Sequence, residues 1–139
     1  MNRERLLKLA DFLDKLPEEV FDLSILTEVS DPVSYGGRVN LKSMLEETIK
    51  NEFKPCGAVA CAIGWMPACF PGELVWDCRS DVMLKDQSAW NFLAMQKFLG
   101  IELRDCDELF SIFGYTELNP SPQDVAAKIR GFVNEQNSL

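Results

Sequence analysis

The first part of the chain has apolar residues at helical spacing. Within residues 2–16 they occupy positions 6, 9, 10, 13 and 16, which is the spacing of one face of an α-helix. Asn2 is a suitable N-cap, and Pro17 ends the run. The following segment, PEEVFD at 17–22, predicts one short turn that begins at its proline. We therefore expect a first helix that buries one face.

Four later segments show the same periodicity, and they cover residues 40–53, about 86–99, 104–113 and 121–133. Gly100 and Gly114 are typical C-terminal stops for the second and third of these. The last segment has the clearest start, because Ser121 can cap it, Pro122 suits the first helical position, and Asp124 can return a hydrogen bond as in a capping box. The pattern thus predicts five helices outside the centre of the chain.

The central stretch CGAVACAIGW, at 56–65, carries no charge and lies between Pro55 and Pro67. On a helix its small side chains would occupy several faces and allow neighbouring helices to approach closely. A glycine inside a helix costs about 1 kcal/mol relative to alanine. Two glycines in ten residues therefore indicate that close backbone approach outweighs helix propensity. We predict a buried central helix over about 56–66.

The remaining segments complete the expected fold. TEVSDPVSYGGR at 27–38 has the turn residues of a surface loop, and Leu74–Trp76 fits either a strand or an irregular crossing. The polar tail at 134–139 is expected to fray. With 139 residues, the chain fits one domain. The predicted fold class is mainly α: a single compact domain, 1–139, of five or six helices packed around the central helix, with a short strand pair if 74–76 is extended.

Charge narrows the range of partners. Fourteen Lys and Arg against 22 Asp and Glu give a net charge of -8, which disfavours direct nucleic-acid binding. Four acidic residues surround the single Arg104, namely Glu102, Asp105, Asp107 and Glu108. They fit either a docking surface for a protein with a basic surface or a solvated face that aids solubility.

Hydropathy indicates no membrane segment. No apolar run approaches the roughly 20 residues of a membrane-spanning helix, and the start MNRERLLKLADF carries charges throughout, unlike the core of a signal peptide. We expect a cytoplasmic protein that does not contact membranes.

The cysteines leave an alternative open. Their odd number argues against a disulfide framework, and buried, reduced thiols are the expectation. The alternative is a metal-binding or redox protein that uses Cys56, Cys61, Cys69 and Cys78. Their uneven spacing and the lack of any histidine disfavour a structural zinc site. Cys56, near the start of the predicted central helix, is the candidate for a reactive thiol.

Signatures of catalysis are missing from the sequence. Because the chain has no histidine, it cannot form a serine triad of the usual kind. Neither of the standard glycine-rich nucleotide-binding loops occurs in the sequence. The 22 acidic residues leave carboxylate chemistry open, but no pair of them stands out. We therefore predict a non-enzyme without catalytic residues or cofactor. Among the tryptophans, Trp76 is the one most suited to a surface groove, because it lies in an irregular segment beside Asp77.

Three stretches together resemble a family of small hypothetical proteins of bacteria and bacteriophages. They are LLKLADFLDKLPEEVFDLS, CGAVACAIGW, and ELFSIFGY with SPQDVAAKIRGFV, roughly half of the chain. The resemblance implies no activity, but its phage context suits an accessory or inhibitor protein. The sequence thus predicts a small acidic protein-binding module that uses Glu102, Asp105, Asp107, Glu108 and Trp76.

Overall fold

The computed structural model describes residues 1–29, 41–52, 58–77 and 79–137. Within these ranges the α-helices are α1 (Arg3–Asp14), α2 (Leu41–Lys50), α3 (Met66–Cys69), α4 (Asn91–Leu99), α5 (Leu103–Phe110) and α6 (Pro122–Asn137). Short 3-10 turns cover Glu18–Val20 and Ile112–Gly114. None of the helices in the described ranges is both long and apolar enough to cross a membrane.

Two antiparallel strand pairs accompany the helices. They are β1 (Thr27–Val29) with β2 (Ala58–Ala60), and β3 (Leu74–Trp76) with β4 (Val82–Leu84). The prediction of a mainly helical, compact fold with a small strand component is confirmed, and the extended reading of 74–76 is correct.

Several helix ends follow the local signals in the sequence. Asn2 Oδ1 accepts a hydrogen bond from the Arg5 N–H at 3.0 Å. At the start of α6, Ser121 Oγ accepts from the Asp124 N–H at 3.0 Å, and Asp124 Oδ2 accepts from the Ser121 N–H at 2.9 Å. Gly100 ends α4 in the left-handed conformation, with φ 66°. These ends were predictable because capping involves residues close together in sequence.

The core lies between the two terminal helices and the central segment. α1 and α6 pack along each other, and their buried side chains are Leu6, Leu9, Ala10 and Leu13 from α1 with Val125, Ala126, Ile129 and Val133 from α6. At the edge of this contact, the Arg130 guanidinium lies 2.8 Å from an Asp11 carboxylate oxygen and 2.6 Å from one of Asp14. Apolar burial therefore joins the two ends of the chain, and an ion pair borders it.

The predicted central helix over 56–66 is wrong, although the prediction of burial is correct. The chain forms β2, then a turn at 61–65, and becomes helical only at α3. From 58 to 70 the side chains are buried, except the half-buried Val59 and Ala68. A strand enclosed on both faces has the same uninterrupted apolar character as a buried helix, so periodicity does not separate them. Residues 53–57, including Cys56, lie outside the described residues.

The close backbone approach predicted for this stretch occurs at Gly64. A Cβ built on Gly64 would lie 1.8 Å from the Leu26 carbonyl oxygen and 2.7 Å from the Ala60 Cβ. Only a residue without a side chain fits this space.

Trp76 is not at a surface groove, contrary to the prediction. Its side chain is 5% exposed, its indole N–H donates to the Gly64 carbonyl at 2.9 Å, and its ring meets Trp65 edge-on with centroids 6.3 Å apart. Trp65 is fully buried and donates to the Val20 carbonyl at 2.8 Å. Both indoles find backbone acceptors inside the core, which makes their burial favourable.

Other boundaries differ from the predicted ones. Residues 27–29 form β1 instead of part of a surface loop, and 30–38 lie outside the described residues. The helix expected from about 86 begins at Asn91, since Asp86 instead accepts the Ser88 N–H at 2.9 Å in a turn. α5 ends at Phe110, and α6 continues to Asn137, through residues 134–137 of the polar tail.

Gly64→Ala should destabilise the fold by about 3 kcal/mol, because the added methyl group overlaps backbone atoms that have no room to move. Gly131→Ala is the matched control: it lies in α6, and its Cβ would meet nothing within 4 Å, so a gain of up to about 1 kcal/mol is expected from helix propensity. Urea unfolding of both variants measures the difference. Equal stability of the two variants would contradict the proposed contact.

Candidate functional site

A short segment between α5 and α6 exposes three large apolar side chains. Phe113 is 91% exposed, Leu118 94% and Ile112 41%. We call these three residues the apolar ridge. Single exposed apolar residues are common on protein surfaces, but a group rimmed by polar residues is typical of interaction sites.

Two cavities adjoin the ridge and share three lining residues, Leu23, Ser24 and Ile112. The first, which we call the acidic cavity, has a volume of about 250 Å³ and is also lined by Glu18, Asp22, Asn119 and Ser121. The second, the apolar cavity, has a volume of about 390 Å³ and is also lined by Leu26, Ile63, Phe92, Phe110 and Phe113. Ile112 therefore stands between two concave sites, and we call the whole surface the groove.

The backbone that carries the ridge is held from behind. The Tyr115 hydroxyl donates to the Leu109 carbonyl at 2.7 Å, and burial raises the pKa of this hydroxyl, so it stays a neutral donor. The Lys128 ammonium donates to the Gly114 carbonyl, lies 3.0 Å from a Glu108 carboxylate oxygen, and sits 4.3 Å above the Tyr115 ring. A Cβ on Gly114 would lie 2.0 Å from the Glu108 carbonyl oxygen. Ile112 and Phe113 therefore lie on a turn whose backbone is held in place by these contacts.

The opposite wall of the groove is held by the central segment. The Asp22 N–H donates to the Ala60 carbonyl at 3.2 Å, and the Cys61 N–H donates to the Ile25 carbonyl at 2.8 Å. Asp22 Oδ1 also accepts the Ser24 N–H at 2.9 Å and the Ser24 hydroxyl at 2.6 Å. The wall at 20–27 is therefore positioned by β2 and by the turn that follows it.

Two of the chain segments that contribute to the groove carry acidic residues and no basic ones, and the charged residues in the described cavity linings, Glu18 and Asp22, are both acidic. Residues 16–27 contain three acidic residues, and residues 105–127 contain five, with no Lys or Arg in either segment. Lys128, directly after the second segment, is paired with Glu108. The walls of a cleft with one sign of charge focus the electrostatic potential, so the groove attracts cations.

The four acidic residues singled out from the sequence lie along or beside α5. Asp105 accepts the Glu102 N–H at 3.0 Å as part of the helix cap, and Glu102 pairs with Arg104 at 2.9 Å. Asp107 and Glu108 are exposed near the end of α5, where the chain turns into the ridge. None of the four is among the residues that line the two cavities. Asp107 and Glu108 lie toward the end of α5 that leads into the ridge, and Glu102 and Asp105 lie at its start.

The ridge is not predicted by the sequence pattern. Phe113 fits the spacing of the predicted helix over 104–113, but α5 ends at Phe110, and Leu118 belongs to none of the predicted helices. A signal was available, because Leu118 stands alone between Glu117 and Asn119, and Ile112 and Phe113 directly precede a glycine.

The cysteines among the described residues, Cys61, Cys69 and Cys106, are free and buried. Each thiol faces a backbone carbonyl of another segment, at 3.9 Å from Leu26, 3.8 Å from Lys8 and 3.9 Å from Phe92, respectively. Burial raises the pKa of Cys61 to about 11 and those of Cys69 and Cys106 to about 12. All three therefore stay neutral thiols at physiological pH.

The four-cysteine metal hypothesis is not tested by this arrangement. Cys56 and Cys78 lie outside the described residues. Among the residues that are described, no group of three or more Cys, Asp or Glu side chains is placed to hold a metal ion.

Comparison of the chain with protein-family models, with curated proteins and with solved structures finds no match. The resemblance to small proteins of bacteria and bacteriophages therefore stays a prediction.

The buried thiols should react slowly in the folded protein. In a Cys56→Ser/Cys78→Ser background, a pKa of about 11 for Cys61 leaves about 0.1% thiolate at pH 8. The rate of reaction with a disulfide reagent should rise about tenfold per pH unit up to about pH 10. A thiol that reacts quickly at pH 7 in the folded protein would contradict the burial.

The same pKa shifts fix a pH dependence of stability. Folding raises the pKa values of the Cys61, Cys69 and Cys106 thiols from 9.0. The folded state therefore binds the thiol protons more tightly than the unfolded state does. Their contribution to stability is present below about pH 9 and is lost as the pH rises toward 11. Urea unfolding between pH 7 and 10.5 measures this loss, and replacing Cys106 by Ala should reduce it.

Proposed function

We propose that this chain is a small acidic protein-binding module that docks a protein with a basic surface through the groove. The supporting observation is the apolar ridge: three exposed apolar side chains directly beside two cavities, two of them, Ile112 and Phe113, on a turn whose backbone is held by Tyr115 and Lys128. An anchor that is already positioned loses little conformational entropy on binding. Large aromatic side chains such as Phe113 supply much of the contact area in protein interfaces.

Charge complementarity supports a basic partner. Residues 16–27 and 105–127 carry acidic side chains and no basic ones, so a partner with Lys and Arg would be attracted before contact. A second copy of this chain would bring the same acidic walls against each other, and like charges oppose that pairing. The partner is therefore a different protein.

The acidic residues of α5 extend this surface. Asp107 and Glu108 lie at the ridge end of the helix, and Glu102 and Asp105 continue the negative charge toward its start. A protein of this kind, in the bacterial cytoplasm and in the phage context that the resemblance implies, would act as an accessory or inhibitor protein by covering a basic surface of its target.

Replacing Phe113 and Leu118 together by serine should weaken partner binding about thirtyfold or more, as expected for the loss of interface hot spots. Thermal stability should stay unchanged, because both side chains are almost fully exposed. The partner is first identified by co-purification from the native host and mass spectrometry, and affinities are then measured by calorimetry.

The matched control for this pair is a substitution of an exposed leucine outside the proposed docking surface. Leu103 would lie within the acidic surface of α5, so Leu93→Ser is the control: Leu93 is 51% exposed on α4 and lines neither cavity, and its loss should leave affinity unchanged. Wild-type affinity of the Phe113→Ser/Leu118→Ser variant would exclude the ridge as the docking surface.

Charge reversal to lysine at Glu102, Asp105, Asp107 and Glu108 should lower the association rate at low salt by about tenfold or more. A control with the same change in net charge reverses four exposed acids elsewhere, Glu4, Glu46, Glu47 and Glu135. Stopped-flow measurements at 50 and 300 mM salt distinguish the two variants, since only the first variant should remove the salt dependence of the association rate. An unchanged pull-down yield and rate would exclude the acidic surface of α5.

A further inference from the structure

We propose that the groove recognises a pair of side chains on one partner segment: a large apolar side chain in the apolar cavity and a lysine or arginine in the acidic cavity. This inference rests on the proposed function and specifies what the docked segment looks like. It follows from the different linings of two cavities that share one wall.

The apolar cavity accepts an uncharged side chain. None of the described residues that line it is ionised at neutral pH, because Cys61 stays a neutral thiol and the other polar members are Ser24, Asn91 and Ser111. A charged group placed there would lose hydration without gaining a partner of opposite charge. Its volume of about 390 Å³ is in the range of sites that enclose small organic groups, so an aromatic or leucine side chain fits.

The acidic cavity accepts a cation. Glu18 and Asp22 are the charged residues among those described in its lining, and both are negative. The Asp22 carboxylate is fixed in direction, since Oδ1 accepts both the N–H and the hydroxyl of Ser24. A fixed carboxylate loses less freedom when it pairs with an ammonium or guanidinium group, and hydrogen bonds between such charged groups are the stronger kind.

The shared wall sets the spacing of the two side chains. Ile112 lines both cavities and is 41% exposed, so a segment lying across it reaches both. The two side chains must point to the same face of that segment. In an extended segment positions i and i+2 or i+4 meet this condition, and in a helix positions i and i+3 or i+4.

The test is selection from a displayed library of random 12-residue peptides against the full folded chain. The wild-type protein should enrich peptides that have an aromatic or leucine residue within four positions of a Lys or Arg. Glu18→Gln/Asp22→Asn, which keeps the shape of the acidic cavity, should still enrich the apolar residue but no longer the basic one. Glu4→Gln/Glu135→Gln removes the same charge elsewhere and should select the wild-type motif.

One selected peptide then allows a double-mutant cycle that measures the interaction between its basic residue and the acidic cavity. Its Lys→Met version should bind the wild-type protein about tenfold more weakly, and should bind Glu18→Gln/Asp22→Asn with no further loss, since the two changes remove the same interaction. Calorimetry measures the four affinities, and thermal unfolding shows that the variant is folded.

The outcomes separate this inference from the proposed function. Peptides that depend on Phe113 but show no basic residue, or whose basic residue is insensitive to Glu18→Gln/Asp22→Asn, would overturn the paired recognition and leave the docking surface in place. If Phe113→Ala selects the same peptides as the wild type with equal affinity, or if the wild type enriches none, the docking function itself is overturned.

Discussion

The contact between the backbone of Gly64 and the carbonyl oxygen of Leu26 is the constraint on which the rest of the molecule depends. Space for a methyl group is absent there, because its carbon would lie 1.8 Å from that oxygen. The Trp76 indole N–H also donates a hydrogen bond to the Gly64 carbonyl oxygen. Since protein interiors are closely packed, this contact fixes segment 20–27 against the strand and turn at 58–65. That segment contributes Leu23 and Ser24, which line both cavities. The position of the groove therefore depends on packing in the core.

The residues that form the core and those of the proposed docking surface lie in different parts of the chain. α1, α6 and the central segment supply the buried apolar surface, whereas the ridge at 112–118 contributes two side chains that are more than nine-tenths exposed. Burying a phenylalanine typically stabilises a fold by about 2 kcal/mol, and the fold forgoes this at Phe113. Tyr115 and Lys128 nevertheless hold the backbone behind it. A partner that covers the ridge recovers that burial without having to order the segment.

The charged and neutral groups follow the same division. Glu18 and Asp22 line the acidic cavity, and further acidic residues lie along α5; in the proposed function these charges would attract a basic partner. The described cysteines lie inside, and burial raises their pKa values so that they behave as small apolar side chains. The interior therefore contributes packing, and the electrostatic contribution to binding comes from the surface.

The sequence by itself determined the mainly helical class, the caps at Asn2, Ser121 and Gly100, and the burial of the uncharged stretch around 58–65. Each of these depends on composition or on residues within about four positions of one another. The sequence did not determine that this stretch is a strand and a turn, that Trp76 is buried, or that Phe113 is exposed. Phe113 continues the apolar spacing of Leu109 and Phe110, but the chain leaves the helix at Phe110 and Gly114 packs on the Glu108 carbonyl. Only the tertiary structure decided these points, because burial depends on contacts between segments 20–27, 58–65 and 110–118, which are far apart in the chain.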